Sequence, residues 1–515
     1  MSILEIKGLS HTFDNKMLFE KADLTVMNGE HIGVVGLNGA GKSTFINILA
    51  GRLIQDDGLV KWNSSCSRGY LDQHADIDRS KTVMEYLTDS FSRLHEMNGK
   101  LEKLYEKMGE TTDGEELERL IDKSNSLLER LTDEGFFDLE ATVKKVANGL
   151  GVGAYGYDTP ISALSGGQRA KLMLSRLLLE KPDLMLLDEP TNFLDVEHIE
   201  WLIDFLNSFK GTFLVISHDT EFLDKVSKFI VGIENGGIKK YGGNYTAYLA
   251  QREQNAKQYE ESYIRQQREI EKMEDYINRN KARAATAGMA NARKKQLEKM
   301  ERIKKPSVIY DAVFSFPYVE LHTRDLTVTD SLEIGYDFPL LPPLNIHLKS
   351  DDKLWIRGTN GVGKTTLVKT LTGFLKPLGG SYRFHPFVKI GYIEQEPNFA
   401  DGSVNAVTYV SDRLPKLDSK QIRNTLALSG IKNDLAVKPI RELSGGEQVR
   451  VKLTVLTNTP TNLLILDEPT NHLDIRAKES LKTALKEYKG AVLLVSHERE
   501  FAESICGDVL DVRGI

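Results

Sequence analysis

Apolar residues along this chain recur in two rhythms, and each predicts a different kind of element. Short unbroken apolar runs, HIGVVG (31–36), LMLLD (184–188), KLWIR (353–357) and LLILD (463–467), are too short for helices and read as buried strands. Steps of three and four mark helices. Leu94, Met97, Leu101, Leu104 and Met108 form one such series, and after the turn GETTDGEE it resumes at Leu117, Leu120, Leu127 and Leu131. A third series, Tyr248, Tyr259, Tyr263, Ile270, Met273 and Ile277, breaks around AATAGMA and returns at Leu297, Met300 and Ile303. The first pair predicts a helical hairpin near 90–135. The second predicts two antiparallel helices, the first about 50 Å long at about 1.5 Å per residue, with Gly288 near the tip.

The strand runs belong to phrases that occur twice in the same order. GLNGAGKST (36–44) is answered by GTNGVGKTT (358–366), GYLDQ (69–73) by GYIEQ (391–395) and LSGGQ (164–168) by LSGGE (443–447). LLDEPTNFLD (186–195) is answered by ILDEPTNHLD (465–474) and VISHD (215–219) by VSHE (495–498). Five ordered pairs define two like domains, 1–244 and 316–515, with a connector at 245–315. Gln73 and Leu164 are 91 positions apart but Gln395 and Leu443 only 48, which places the hairpin at 90–135 as extra material in the first domain. It is either an inserted arm or a lengthening of that domain's own helical part.

Each repeat carries the same chemistry. GxxxxGK[ST] follows a strand and opens a helix, where glycine backbone N–H groups and the helix N-terminus together hold phosphate. The nucleotide-binding candidates are therefore Gly36, Asn38, Gly39, Gly41, Lys42, Ser43 and Thr44, and in the second repeat Gly358, Asn360, Gly361, Gly363, Lys364, Thr365 and Thr366. Lys42 and Lys364 are expected to reach the β- and γ-phosphates, and Ser43 and Thr365 to offer hydroxyls to Mg²⁺. LMLLDE and LLILDE each run a strand into two carboxylates. The first, Asp188 or Asp467, suits the Mg²⁺ shell, and the second, Glu189 or Glu468, suits a base that orients and deprotonates water. Such a pair can also be a plain solvated strand end; here both follow a phosphate loop.

Composition narrows the setting. With 40% hydrophobic and 27% charged residues the chain is an ordinary globular one. Its two cysteines, Cys66 and Cys506, form no metal-ligand spacing and no disulfide framework, which suggests a reducing compartment. No basic and apolar leader opens the chain and no run of about 18 apolar residues occurs, so a cytoplasmic protein without a membrane span is expected. Charge adds the last element. Lys281 to Lys305 holds nine basic residues against Glu298 and Glu301, a local +7 on a chain whose formal net charge is −7. A charge run on a helix is commonly just a solvated face. A cationic element on an acidic body also steers polyanions to itself, and without a base-reading module it suits the phosphates and shape of folded RNA.

In this order, Walker A, glutamine loop, LSGGQ signature, Walker B with its glutamate, LD loop and histidine loop resemble the nucleotide-binding domains of ATP-binding cassette proteins, over nearly the whole of both halves. That resemblance implies an α/β fold of two tandem P-loop cassettes that sandwich two ATP molecules head to tail, within one monomer. Lys42, Asp188 and Glu189 would face Ser444, Gly445, Gly446 and Glu447, while Lys364, Asp467 and Glu468 would face Ser165, Gly166, Gly167 and Gln168. Gln73 and Gln395 would sense Mg²⁺ and the γ-phosphate, and His218 and His497 would contact the γ-phosphate, although a lone histidine is often structural. Phe13 and Tyr336, 29 and 28 positions before the Walker lysines, would stack on adenine or fill core. Gln168 against Glu447, and Phe193 against His472, are differences that would make the sites unequal.

Tandem cassettes, a helical arm in the first and a charged linker whose second helix reads ARKKQLEKMERIKKP resemble the F subfamily, its bacterial translation factors and ribosome-protection proteins in particular. The resemblance implies action at the ribosomal E site. Arg279, Lys281, Arg283, Arg293, Lys294 and Lys295 would face P-site tRNA or rRNA near the peptidyl-transferase centre, the arm would touch the ribosomal stalk region, and large-subunit proteins would be among the partners. The alternative is the ATPase subunit of a transporter with separate transmembrane subunits, which has no use for a long basic linker. A DNA-repair or chromosome-organising ATPase would carry zinc modules or very long coiled coils.

Overall fold

Four sheets, two to each half, organise the described residues. The computed structural model describes all residues except 1, 14–15, 38, 72–76, 112, 235, 281–286, 301, 303–311, 322, 396, 433, 472 and 514–515. In the first half a six-stranded sheet runs Arg68–Tyr70, Leu184–Asp188, Thr212–Ile216, His31–Gly36, Phe229–Glu234 and Gly237–Gly242, parallel except for the last strand. The second half repeats that order with five parallel strands, Ile390–Ile393, Leu463–Asp467, Ala491–Val495, Lys353–Arg357 and Asp508–Asp511. A three-stranded antiparallel sheet accompanies each, built on Ser2–Phe13 in the first half and Asp325–Glu333 in the second.

Strands covered on both faces need continuous apolar sequence, which is why LMLLD, LLILD, TFLVI and AVLLV are almost wholly buried. The phosphate-loop strands, His31–Gly36 and Lys353–Arg357, lie inside their sheets, so each loop emerges at a carboxyl edge beside the Asp-Glu and histidine strands. Ligands bind α/β sheets at such an edge. Trp355 fixes one of these neighbours: it is 1% exposed, and its indole N–H donates to the carbonyl of Ser496, 3.0 Å away, immediately before His497.

Two helical hairpins stand out from this body. Ser92–Glu110 and Gly114–Asp133 pack on each other, and Leu94, Met97, Leu101 and Leu131 close a small core of their own with Leu139. The N-terminus of the second helix is capped by Asp113, which accepts from the Glu115 N–H. The linker begins with the 36-residue helix Tyr245–Asn280. Its base is tied down by buried Tyr245 and Tyr248 and by an ion pair between Arg252 and Glu234. Ala287–Lys299 returns alongside it, with the Arg293 guanidinium 3.8 Å from the centre of the Tyr276 ring. Among the described residues no helix is long and apolar enough to cross a membrane.

Candidate functional site

Both phosphate loops end in a glycine with left-handed backbone, Gly41 at φ 95° and Gly363 at φ 112°, directly before the helices Lys42–Leu49 and Lys364–Leu371. A side chain there is disfavoured twice over, since a β-carbon on Gly41 would also lie 3.1 Å from Phe19. The loop lysines are buried and held alike. The Lys42 ammonium donates to the carbonyls of Gly36 (3.0 Å) and Leu37 (3.3 Å), and that of Lys364 to Gly358 (2.8 Å) and Thr359 (2.9 Å). Burial pulls both lysines below the ordinary range, and the carboxylates of Glu189, Asp474 and Asp188 around Lys42, and of Glu468, Asp195 and Asp467 around Lys364, oppose that pull.

Glu189 and Glu468 both sit at φ 49°, a strained conformation for a residue with a side chain and one concentrated at functional sites. Their surroundings correspond. The Glu189 carboxylate accepts from the His218 N–H at 3.2 Å with the His218 ring nitrogen Nε2 at 3.4 Å; Glu468 accepts from the His497 N–H at 3.2 Å with Nε2 at 3.1 Å. Burial, reinforced by the neighbouring aspartate, pushes Glu189 up to about 7 and Glu468 up to about 8. His497 is driven down to about 4, again chiefly by burial, so its imidazole is neutral. Both Asp467 oxygens are buried and poorly matched, with the Thr365 hydroxyl beside them, and one oxygen each of Glu189 and Glu468 meets only a histidine ring nitrogen. Buried acceptors left unmatched are costly, and a hydrated Mg²⁺ is the chemistry that satisfies them. Asp188 and Asp467, Thr365 and Gln395 therefore fit that ion; Thr365 already donates to the Gln395 amide oxygen at 3.3 Å.

A pH dependence follows. A carboxyl whose folded pKa exceeds its unfolded value binds more protons when folded, so stability falls as pH rises between the two values. His497, depressed, works oppositely, but only up to its unfolded pKa near 6.5. In nucleotide-free protein with chelator, stability is therefore expected to fall from pH 6.5 to 8.5, and the chain carrying Glu189→Gln and Glu468→Gln is expected to fall less. Urea unfolding at the two pH values checks this; parallel losses in both chains would contradict it.

The two halves meet around one cavity of about 1790 Å³. Gly39, Gly41, Lys42, Ser43 and Thr44 line it together with Ser444, Gly445, Gly446 and Glu447; Ser165, Gly167 and Gln168 line it with Thr359, Asn360 and Gly361. Glu189, Glu468, His218, His497, Asp188, Gln395 and Phe13 also face it. Tyr336 is exposed and is not among the lining residues, and Thr366 is buried in its helix. Asn38, Gln73, Lys281 and Arg283 lie outside the described residues, as does His472.

In both signatures the last residue is occupied locally. Ser165 and Gln168 close a capping box on one helix and Ser444 and Glu447 close the same box on the other, so glutamine and glutamate fill the same capping role there. Arg279, Arg293, Lys294 and Lys295 are all exposed on the linker.

Three contributors were not among the candidates. Asp195, in the loop after the first Asp-Glu pair, accepts from the Asn360 N–H of the opposite phosphate loop at 2.6 Å, and its own half supplies Lys171 at 3.5 Å. Asp474, paired with Arg450, acts electrostatically on Lys42 from the other side. The repeated LD at 194–195 and 473–474 was the available signal. Lys478 also lines the cavity, and the Glu189 carboxyl lies within its field.

Comparison with known proteins comes to the same architecture. The family described as "ABC transporter" matches residues 19–192 and 341–471, and a second family of that description matches 231–316, spanning the linker. The uncharacterized ABC transporter ATP-binding protein YfmM of Bacillus subtilis is 41% identical over 97% of this chain and 96% of its own length. ABC transporter F family member 2 of Arabidopsis thaliana is 33% identical over 99% of this chain and 75% of its own length. Among solved structures, the complex of archaeal ribosomal stalk protein aP1 with archaeal ribosome recycling factor aABCE1 aligns with a TM-score of 0.59 at 18% identity, covering 99% of this chain and 88% of that one, a likeness of fold.

Proposed function

Because the chain belongs to the F family of ABC ATPases, two tandem cassettes in one polypeptide, we propose that it is a ribosome-binding ATPase whose nucleotide cycle times the insertion of a basic RNA-contacting hairpin. Each half supplies a phosphate loop and an Asp-Glu pair to one ATP and a signature helix to the other. Asp188 and Asp467, with Ser43, Thr365, Gln73 and Gln395, would hold Mg²⁺, which neutralises charge on the β- and γ-phosphates and polarises the transferred group. Lys42 and Lys364 bind those phosphates. Glu189 and Glu468, with pKa values near neutrality, take the proton of the attacking water, and His218 and His497 orient the γ-phosphate.

The observation that carries the ribosomal reading is the hairpin. Its base is locked into the first cassette by Tyr245, Tyr248 and the Arg252–Glu234 pair, while Arg279, Arg293, Lys294 and Lys295 stand exposed at the far end. A cationic prong on an acidic body fits a polyanion. We place the body at the ribosomal E site, the hairpin against P-site tRNA and rRNA near the peptidyl-transferase centre, and the 92–133 arm against large-subunit proteins, so as to regulate translation or protect ribosomes from antibiotics. ATP favours ribosome binding only by its differential affinity for the closed body, and hydrolysis releases the protein. Pelleting through sucrose tests this. The Glu189→Gln, Glu468→Gln chain is expected to sediment with ribosomes in ATP and not in ADP, and a chain that stays in the supernatant with ATP would defeat the reading.

A further inference from the structure

Lys478 belongs to none of the repeated phrases. It lies on the helix Ile475–Glu487 of the second cassette, four residues after Asp474. The position four after Asp195 in the first cassette is Ile199, so the two halves differ here in charge and in hydrogen-bonding capacity. The Lys478 side chain is 10% exposed. Its ammonium makes two bonds: one across the interface to the His218 carbonyl at 3.0 Å, and one within its own cassette to the Glu498 carboxylate at 2.6 Å. Glu498 directly follows His497. A single cation thus joins the loops that carry the two histidines.

Among the described residues no equivalent side-chain bond runs in the other direction. The Ile199 side chain has no donor, and Asp219, the counterpart of Glu498, uses its carboxylate to cap its own helix by accepting from the Phe222 N–H at 3.0 Å. A buried ammonium is tolerated only where its protons are matched. One of the two acceptors of Lys478 is supplied by the opposite cassette, so its full set of bonds exists only while the cassettes are together. The carbonyl it holds belongs to His218, whose own N–H and ring meet Glu189.

We propose that Lys478 is a positioning residue supplied in trans to the first nucleotide site: it fixes the His218 loop when the cassettes close, and so makes hydrolysis at that site depend on closure in a way the second site does not share. The proposal rests on the reading of Glu189 and Glu468 as the two bases. Substituting one of them leaves a single working site: Glu468→Gln reports the first and Glu189→Gln the second. In full-length protein with Mg²⁺ and ATP, single-turnover hydrolysis by rapid quench is expected to slow about tenfold at the first site on adding Lys478→Met, as loss of one charged hydrogen bond predicts. ATP affinity stays constant, and the second site changes by less than about twofold on the same scale. Lys478→Arg, which keeps the charge and donors, is expected to retain most of the first-site rate and serves also if the methionine variant folds poorly. Equal slowing at both sites, or an unaltered first site, would overturn the proposal alone. Turnover persisting in the double glutamine chain would instead remove the reading beneath it.

Discussion

A chain in which Glu189 and Glu468 are both glutamine is expected to hydrolyse ATP about two to four orders of magnitude more slowly than the native chain while still binding it. The amide oxygen can accept the His218 and His497 N–H bonds that the carboxylates accept at 3.2 Å, so the loops keep their anchor. It cannot take a proton from water. In the proposed assignment neither glutamate grips phosphate, a role given to Lys42 and Lys364 and to the loop N–H groups. The burial that holds these carboxyls near 7 and 8 is the same property that would make them effective bases close to neutral pH, and glutamine discards it. Phosphate release at saturating ATP, beside equilibrium binding of labelled ATP, separates the two effects. A loss of less than about tenfold would assign proton transfer to another group.

The correspondence of the two candidate sites was legible in the sequence because it is local. A phosphate loop, a strand ending in Asp-Glu and a strand ending in Ser-His each carry their geometry in a few consecutive residues, and each occurs twice. Gly41 and Gly363 with positive φ, and Glu189 and Glu468 sharing φ 49°, are the structural form of that repetition. The spacing between Gln73 and Leu164 likewise located extra helices, whose apolar steps from Leu94 to Leu131 became a separate small core.

What the sequence concealed lies between the halves. Asp195 reaches Asn360 and Lys478 reaches His218 over separations of 165 and 260 residues, and no periodicity links such pairs. Lys478 was doubly hidden, because comparing the repeats sets it opposite Ile199, where a difference looks like surface variation. Gln168 and Glu447 show a further kind of hidden feature: a visible difference in a motif accompanies one capping role that either side chain fills.

Replacing Arg279, Lys281, Arg283, Arg293, Lys294 and Lys295 by glutamine is expected to lower ribosome affinity by about two to three orders of magnitude near physiological salt, and to reduce the slope of log affinity against log salt by about four. Both follow from counterion release if each cation meets one phosphate of folded RNA. Their present partners do not compete strongly: Arg279 with Asp275 at 3.6 Å and Lys294 with Glu298 at 3.9 Å are exposed pairs one helical turn apart, and such pairs are weak. Arg293 differs, since it also packs on Tyr276, and its loss will loosen the hairpin as well as remove a charge. Circular dichroism of the variant separates these effects, and a second variant with Arg293 retained removes the ambiguity. The slope is the more discriminating readout, because a hairpin that merely misfolds weakens binding at all salt concentrations alike, whereas lost phosphate contacts weaken it most at low salt. Should the native slope persist in the six-fold variant, these charges would be serving solvation, and the body would have to reach the ribosome by another face.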